Sequence, residues 1–124
     1  MKKLITAMFI FVSCFTSKAF SDGHAIKMGI ILGFTGPIES LTPAMAASAE
    51  LAFKEASDSG KLLGGKSIMI ERADSTCVDS AAATTAAEGL VSNGVLAIMG
   101  ADCSGVTGAI ATNVAVPNGV VMIS

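Results

Sequence analysis

Apolar positions along the chain alternate between short solid runs and longer stripes at helical spacing. Ile26–Gly33 (IKMGIILG) is apolar on both faces toward its end, which predicts a central parallel strand. Phe34–Thr42 (FTGPIESLT) is a loop carrying Gly36-Pro37. Thr42 before Pro43 predicts an N-cap followed by the first helical position. That helix runs to about Ser57, with Met45, Ala49, Ala52, Phe53 and Ala56 recurring as its core face. Gly60–Lys66 (GKLLGGK) leads back to the sheet. In Ser67–Ala73 (SIMIERA), Ile68 and Ile70 share one face and Met69 and Glu71 the other, the pattern of an edge strand. Asp74–Val78 is a loop. Asp79 or Ser80 caps an Ala-rich second helix to about Ser92, with Ala83, Ala86, Ala87, Leu90 and Val91 inward. Asn93-Gly94 stops it.

Leu96–Met99 (LAIM) is a third, buried strand. A third helix runs from Ser104 to about Val116, with Val106, Ile110 and Val114 inward. Pro117-Asn118-Gly119 then turns the chain into a fourth strand, Val120–Ile123 (VVMI). The order β-α-β-α-β-α-β with right-handed crossovers predicts an α/β fold with a doubly wound parallel sheet. Three helices cover the two faces unevenly and no helix follows the last strand, so the sequence reads as cut off mid-domain. It contains no internal repeats and no low-complexity tracts.

The stretch Gly100–Thr107 (GADCSGVT) joins the third strand to the third helix. At such a turn the N–H groups of Gly105, Val106 and Thr107 have no intrahelical partners, and the helix dipole adds partial positive charge. Together they favour an anion. Ser104 adds a hydroxyl, and Gly105 leaves room for close backbone approach. Ligands of open parallel sheets bind at such carboxyl ends of strands. The competing use of Ser104 is as a plain helix cap.

The 124 residues suffice for one small domain; 52% are hydrophobic and 15% charged. Much of the apolar share is alanine, and part lies in the first twenty residues. Those have the form of a signal peptide: Lys2 and Lys3, then the apolar Leu4–Phe15, too short to span a membrane, then Ser17-Lys18-Ala19 or Ala19-Phe20-Ser21 for cleavage. Cleavage after Ala19 leaves residues 20–124 as an exported, soluble periplasmic chain. Lipoprotein anchoring through Cys14 is the lesser option, because Phe11, Val12 and Phe15 around it fit that pattern poorly. Export removes Lys2, Lys3 and Lys18 of eight bases and none of ten acids, leaving five against ten and a formal charge of about −5. That balance argues against nucleic acid and anionic membrane surfaces. Cys77 and Cys103 remain, an even pair that forms a disulfide in an oxidising compartment or stays as two buried thiols. Two cysteines make a poor zinc site, and the single His24 lies near the new N-terminus, so no metal or other cofactor is expected.

Gly60–Ser67 (GKLLGGKS) matches the Walker A pattern literally. A phosphate loop follows a strand and opens a helix; here a helix precedes and a strand follows, so the turn is a glycine-rich connector and a nucleotide enzyme is disfavoured. Gly33-Phe34-Thr35-Gly36 lacks the dinucleotide spacing. One histidine leaves no Ser/His/Asp or Cys/His constellation. Glu39 and Asp102 fall on the two loops facing the candidate site, where each is either a solvated loop acid or a partner for a ligand ammonium.

These residues resemble the type I periplasmic binding proteins, in the leucine/isoleucine/valine-binding branch that serves ABC importers. The resemblance spans Ile26–Ser124 and rests on "IILGFTGP", "AELAFKEAS", "GKSIMIERADSTC", "GVLAIMGADCSGVT" and "VPNGVVMIS" taken in order. It implies a two-lobe solute-binding domain of which this chain is the first part of the N-terminal lobe. It implies a disulfide between Cys77 and Cys103, which the reading places at the carboxyl ends of neighbouring second and third strands. It gives Ser104, with Gly105, Val106 and Thr107, the role of holding the ligand's α-carboxylate. Further contacts would come from the first loop, from just after the fourth strand and from the second lobe. The first loop carries Ile38-Glu39-Ser40-Leu41 where relatives often have an aromatic, so short amides or urea stand beside amino acids as ligands. The implied function is extracytoplasmic solute capture for an ABC importer, with its membrane subunits as partners and without catalysis. The alternative is an exported ligand-sensing domain of a receptor with the same fold.

Overall fold

The structure, a computed structural model, describes residues 25–124. The expected signal peptide of residues 1–19, Cys14 and His24 lie outside the described residues. β1 (Ile26–Leu32) is the central strand, parallel to β2 (Ile68–Asp74) on one side and to β3 (Ala97–Gly100) on the other. β4 (Val121–Ile123) extends the sheet beyond β3, giving the all-parallel order β2-β1-β3-β4. The solid apolar run of β1 follows from this position. Ile31 packs on one face of the sheet and Ile30 and Leu32 on the other, each essentially inaccessible. β2 is an edge among the described residues, as its alternation predicted. β2 and β3 are not neighbours, contrary to expectation; both flank β1, because the second crossover passes over the first strand.

α1 (Thr42–Asp58) covers one face, and α2 (Ser80–Ser92) and α3 (Ser104–Ile110) cover the other. Asp79 caps α2, its Oδ1 accepting the N–H groups of Ala81 and Ala82. Ala83, Ala87 and Leu90 are buried, with Ala86 and Val91 packed beside them, as the stripe predicted. Val106, Ile110 and Val114 are also buried as expected.

Three details depart from the sequence reading. Thr42 is the first helical residue rather than the cap; Leu41 precedes it in helical conformation. The Thr42 hydroxyl instead donates to the Gly33 carbonyl at 3.1 Å, which fixes the helix's rotation. The buried seam is therefore Thr42, Ala46, Ala49, Phe53 and Ala56, while Met45 and Ala52 face outward. The third helix does not stop at Val116. It winds as a π-helix over Ala111–Ala115 and ends in a last turn, Val116–Asn118. The wider π register moves the carbonyl that the Pro117 ring would otherwise meet. Finally, Leu96 lies before β3 and is 62% exposed.

Candidate functional site

Connections from β1 and β3 leave the sheet on opposite faces, toward α1 and α3. Such a reversal opens a crevice at the carboxyl ends of the strands. A cavity of about 270 Å³ lies there. Its lining comes from Leu32 at the end of β1, Met45 of α1, Met99–Asp102 at the end of β3, and Ile123 and Ser124 at the end of β4. Apolar side chains dominate it.

Gly100 makes the floor possible. Its φ is +120°, and an added Cβ would stand 1.9 Å from the Ile31 carbonyl oxygen. Only glycine lets β3 end this close to β1. The next carbonyl, of Ala101, accepts the hydroxyls of Ser124 at 2.6 Å and Thr107 at 3.1 Å.

The predicted anion turn follows directly on the lining residues Ala101 and Asp102, but none of Ser104, Gly105, Val106 and Thr107 lines the cavity itself. Cys103 occupies the extended cap position, and its side chain makes no capping bond. Ser104 is the first helical residue, exposed, with its hydroxyl not used as a cap. Gly105 is exposed and Val106 buried. The Thr107 N–H donates to the Cys103 carbonyl at 2.9 Å, so it is spent inside the helix rather than open as predicted. The amides of Ser104, Gly105 and Val106 stand ahead of that first helical bond. The site thus keeps three candidate donors, shifted one residue toward the N-terminus.

Cys77 and Cys103 form a disulfide, Cα–Cα 5.2 Å. It joins the loop after β2 to the cap of α3 across the end of β1. Thr76 and Cys77 both have positive φ, +56° and +69°. Asp74 holds this loop against the first. Its Oδ1 accepts the Thr76 N–H at 2.8 Å and the Thr35 N–H at 3.3 Å, and its Oδ2 accepts the Thr35 hydroxyl at 2.5 Å. Burial alone would raise the Asp74 pKa, but the Thr35 hydroxyl and the amides of Thr76, Thr35 and Phe34 together hold it below the usual carboxylate value.

The two loop acids behave differently. Glu39 is exposed. Asp102 is half-buried at the cavity lining and takes the Gly33 N–H at 2.9 Å and the Ser75 hydroxyl at 3.4 Å, so it is not a freely solvated acid. The Walker-like stretch runs from α1 through a 3₁₀ turn (Leu62–Gly64) into β2, the inverted context that the sequence indicated. Among the described residues no group of three His, Cys, Asp or Glu could hold a metal. No described helix is long and apolar enough to cross a membrane. Sequence reasoning missed Leu32, Met45, Met99, Ile123 and Ser124 as lining residues. For the two at the end of β4, parallel direction alone was the available signal, since it brings every strand's carboxyl end to one side.

An open α/β sheet with its crevice at the strand reversal defines a ligand-binding class of fold. The sequence profile of the periplasmic binding proteins matches residues 25–124, and the chain belongs to that family. Comparison with curated proteins gives no match. Among solved structures, the branched-chain amino acid transporter substrate-binding protein LivJ from Streptococcus pneumoniae, in complex with isoleucine, is 31% identical with TM-score 0.72, covering 81% of this chain and 28% of that one. A solute-binding protein of an ABC transporter from R. palustris, in complex with benzoate, is 28% identical with TM-score 0.63, covering 79% and 26%. The leucine-binding protein LivK from Thermotoga maritima is 26% identical with TM-score 0.60, covering 78% and 26%. The chain spans little more than a quarter of the length of these relatives.

Proposed function

We propose that this chain is the N-terminal part of an extracytoplasmic solute-binding protein of an ABC importer. The ligand is an amino acid of the branched-chain type or a small amide, and the partners are the importer's membrane subunits. The activity is capture, without catalysis and without a cofactor. Residues 1–19 direct export to the periplasm and are removed, and Cys14 leaves with them. The observation that carries the reading is a helix start that follows, two residues on, the last β3-side lining residue of an apolar cavity. The Ser104 hydroxyl and the amides of Ser104, Gly105 and Val106 suit a carboxylate, while Leu32, Met45 and Ile123 suit an apolar side chain. Thr107 acts through its bond to the Ala101 carbonyl, which shapes the rim.

The test is Ser104→Ala in the intact gene product, titrated with L-leucine, L-isoleucine, urea and benzoate by calorimetry. A hydrogen bond to a carboxylate contributes about 1.5–3 kcal/mol, so affinity should fall roughly ten- to a hundredfold. An unchanged affinity with only a lower melting temperature would remove Ser104 from the site.

A further inference from the structure

We propose that Asp102, one of the lining residues, is a positioning residue: it sets the separation of the two loops that wall the cavity, and its charge does not pair with the solute. The inference rests on the reading of the cavity as a solute site. Asp102 follows β3. Its Oδ2 accepts the Gly33 N–H at 2.9 Å, from the loop after β1. Its Oδ1 accepts the Ser75 hydroxyl at 3.4 Å, from the loop after β2. Ser75 is fully buried, and its N–H donates to the Leu32 carbonyl at 2.8 Å. One carboxylate therefore ties together the loops that leave β1, β2 and β3.

The tie reaches α1. The Gly33 carbonyl accepts the hydroxyl of Thr42, which is fully buried. Met45, one helical turn further on, lines the cavity. Asp102, Gly33 and Thr42 thus run from the Gly100–Asp102 wall to the wall made by Leu32 and Met45. Gly33 has little slack in this chain of contacts. A Cβ added there would stand 3.2 Å from the Cys77 Cβ and 3.3 Å from the Ile38 Cγ1.

Positioning and direct contact predict different behaviour for the amide variant. Asp102→Asn keeps an acceptor for the Gly33 N–H and can donate to the Ser75 hydroxyl oxygen. Asp102→Ala removes both bonds. The intact gene product and its variants are titrated with L-leucine, L-isoleucine and benzoate, and exchange of the Gly33 amide is followed by NMR. Asp102→Ala should weaken the tightest of these ligands by about tenfold or more and speed Gly33 exchange. Asp102→Asn should restore binding to within about threefold of wild type and keep Gly33 protected. Thr42→Val, at a buried position no ligand reaches, should reproduce the affinity loss and replaces Asp102→Ala if that variant does not fold. Equal losses in Asp102→Asn and Asp102→Ala would mean direct charge contact and overturn the proposal. Unchanged affinity in Asp102→Ala and Thr42→Val would overturn it equally. If wild type binds none of the three solutes, the branched-chain amino acid reading fails separately. The tie then stands if Asp102→Ala exposes the Gly33 amide, and falls if protection is unchanged.

Discussion

Single atoms decide how closely the strands meet at the cavity floor. Gly100→Ala would place a Cβ 1.9 Å from the Ile31 carbonyl oxygen at a φ of +120°. Backbone cannot yield there without parting β3 from β1. Destabilisation of about 4 kcal/mol or more is expected, at the upper end for point substitutions. Urea unfolding of the variant measures it, and a loss under about 1 kcal/mol would show that β3 can shift freely. Asp74 supplies a pH dependence at the same scale. Its folded pKa is lowered, so its contribution is present above the unfolded value and disappears as pH falls through the folded one. Stability should therefore hold near neutrality and decline from about pH 4 downward. Asp74→Asn should lie below wild type at pH 7, with the gap closing in acid as the wild-type carboxyl becomes neutral. A gap that stays constant from pH 7 to pH 3 would assign the effect to shape rather than charge.

At the scale of elements, the disulfide ties the least regular segment to the helix that opens the site. Closing a 26-residue separation should stabilise by about 3.5 kcal/mol in the chain-entropy account. The net effect should be smaller, because Thr76 and Cys77 both occupy the left-handed region and reduction lets them relax. Denaturant unfolding with and without reductant measures the difference, and coincident curves would leave the bond without a stabilising role. Which elements exist was legible in the sequence because each carries its own period. The solid run at Ile30–Leu32, the alanine stripe of α2 and the Asp79 cap are local signals, and they placed those elements within a residue or two. The phase of α1 was not local. It depends on Thr42 reaching the Gly33 carbonyl, a contact made only after the strand and helix meet, and it moved Met45 from the core to the cavity. The bonds of Asp102 were not legible for the same reason, since its donors come from loops 27 and 69 residues away in sequence.

Strand order is the property of the whole molecule that alternation could not supply. A second crossover can pass to either side of the first pair, and only here does passing over β1 create the β1/β3 reversal where the cavity lies. The consequence is one-sided. Every lining residue comes from the carboxyl edge of a single sheet and the start of α1, so a solute resting there stays open to water on its far side. The relatives in the family are about three times as long as this chain, with 26–28% of their length matched. Residues 25–124 alone should therefore bind L-leucine, L-isoleucine, urea or benzoate no tighter than about 1 mM, near −4 kcal/mol. β4 also pairs only with β3 among the described residues, and Val121 and Ile123 are 61% and 69% exposed, so the isolated segment should self-associate. Calorimetry paired with sedimentation checks both statements. Micromolar binding by a monomeric segment would mean that one wall suffices to hold the solute, and the two-lobe reading of this protein would have to be given up.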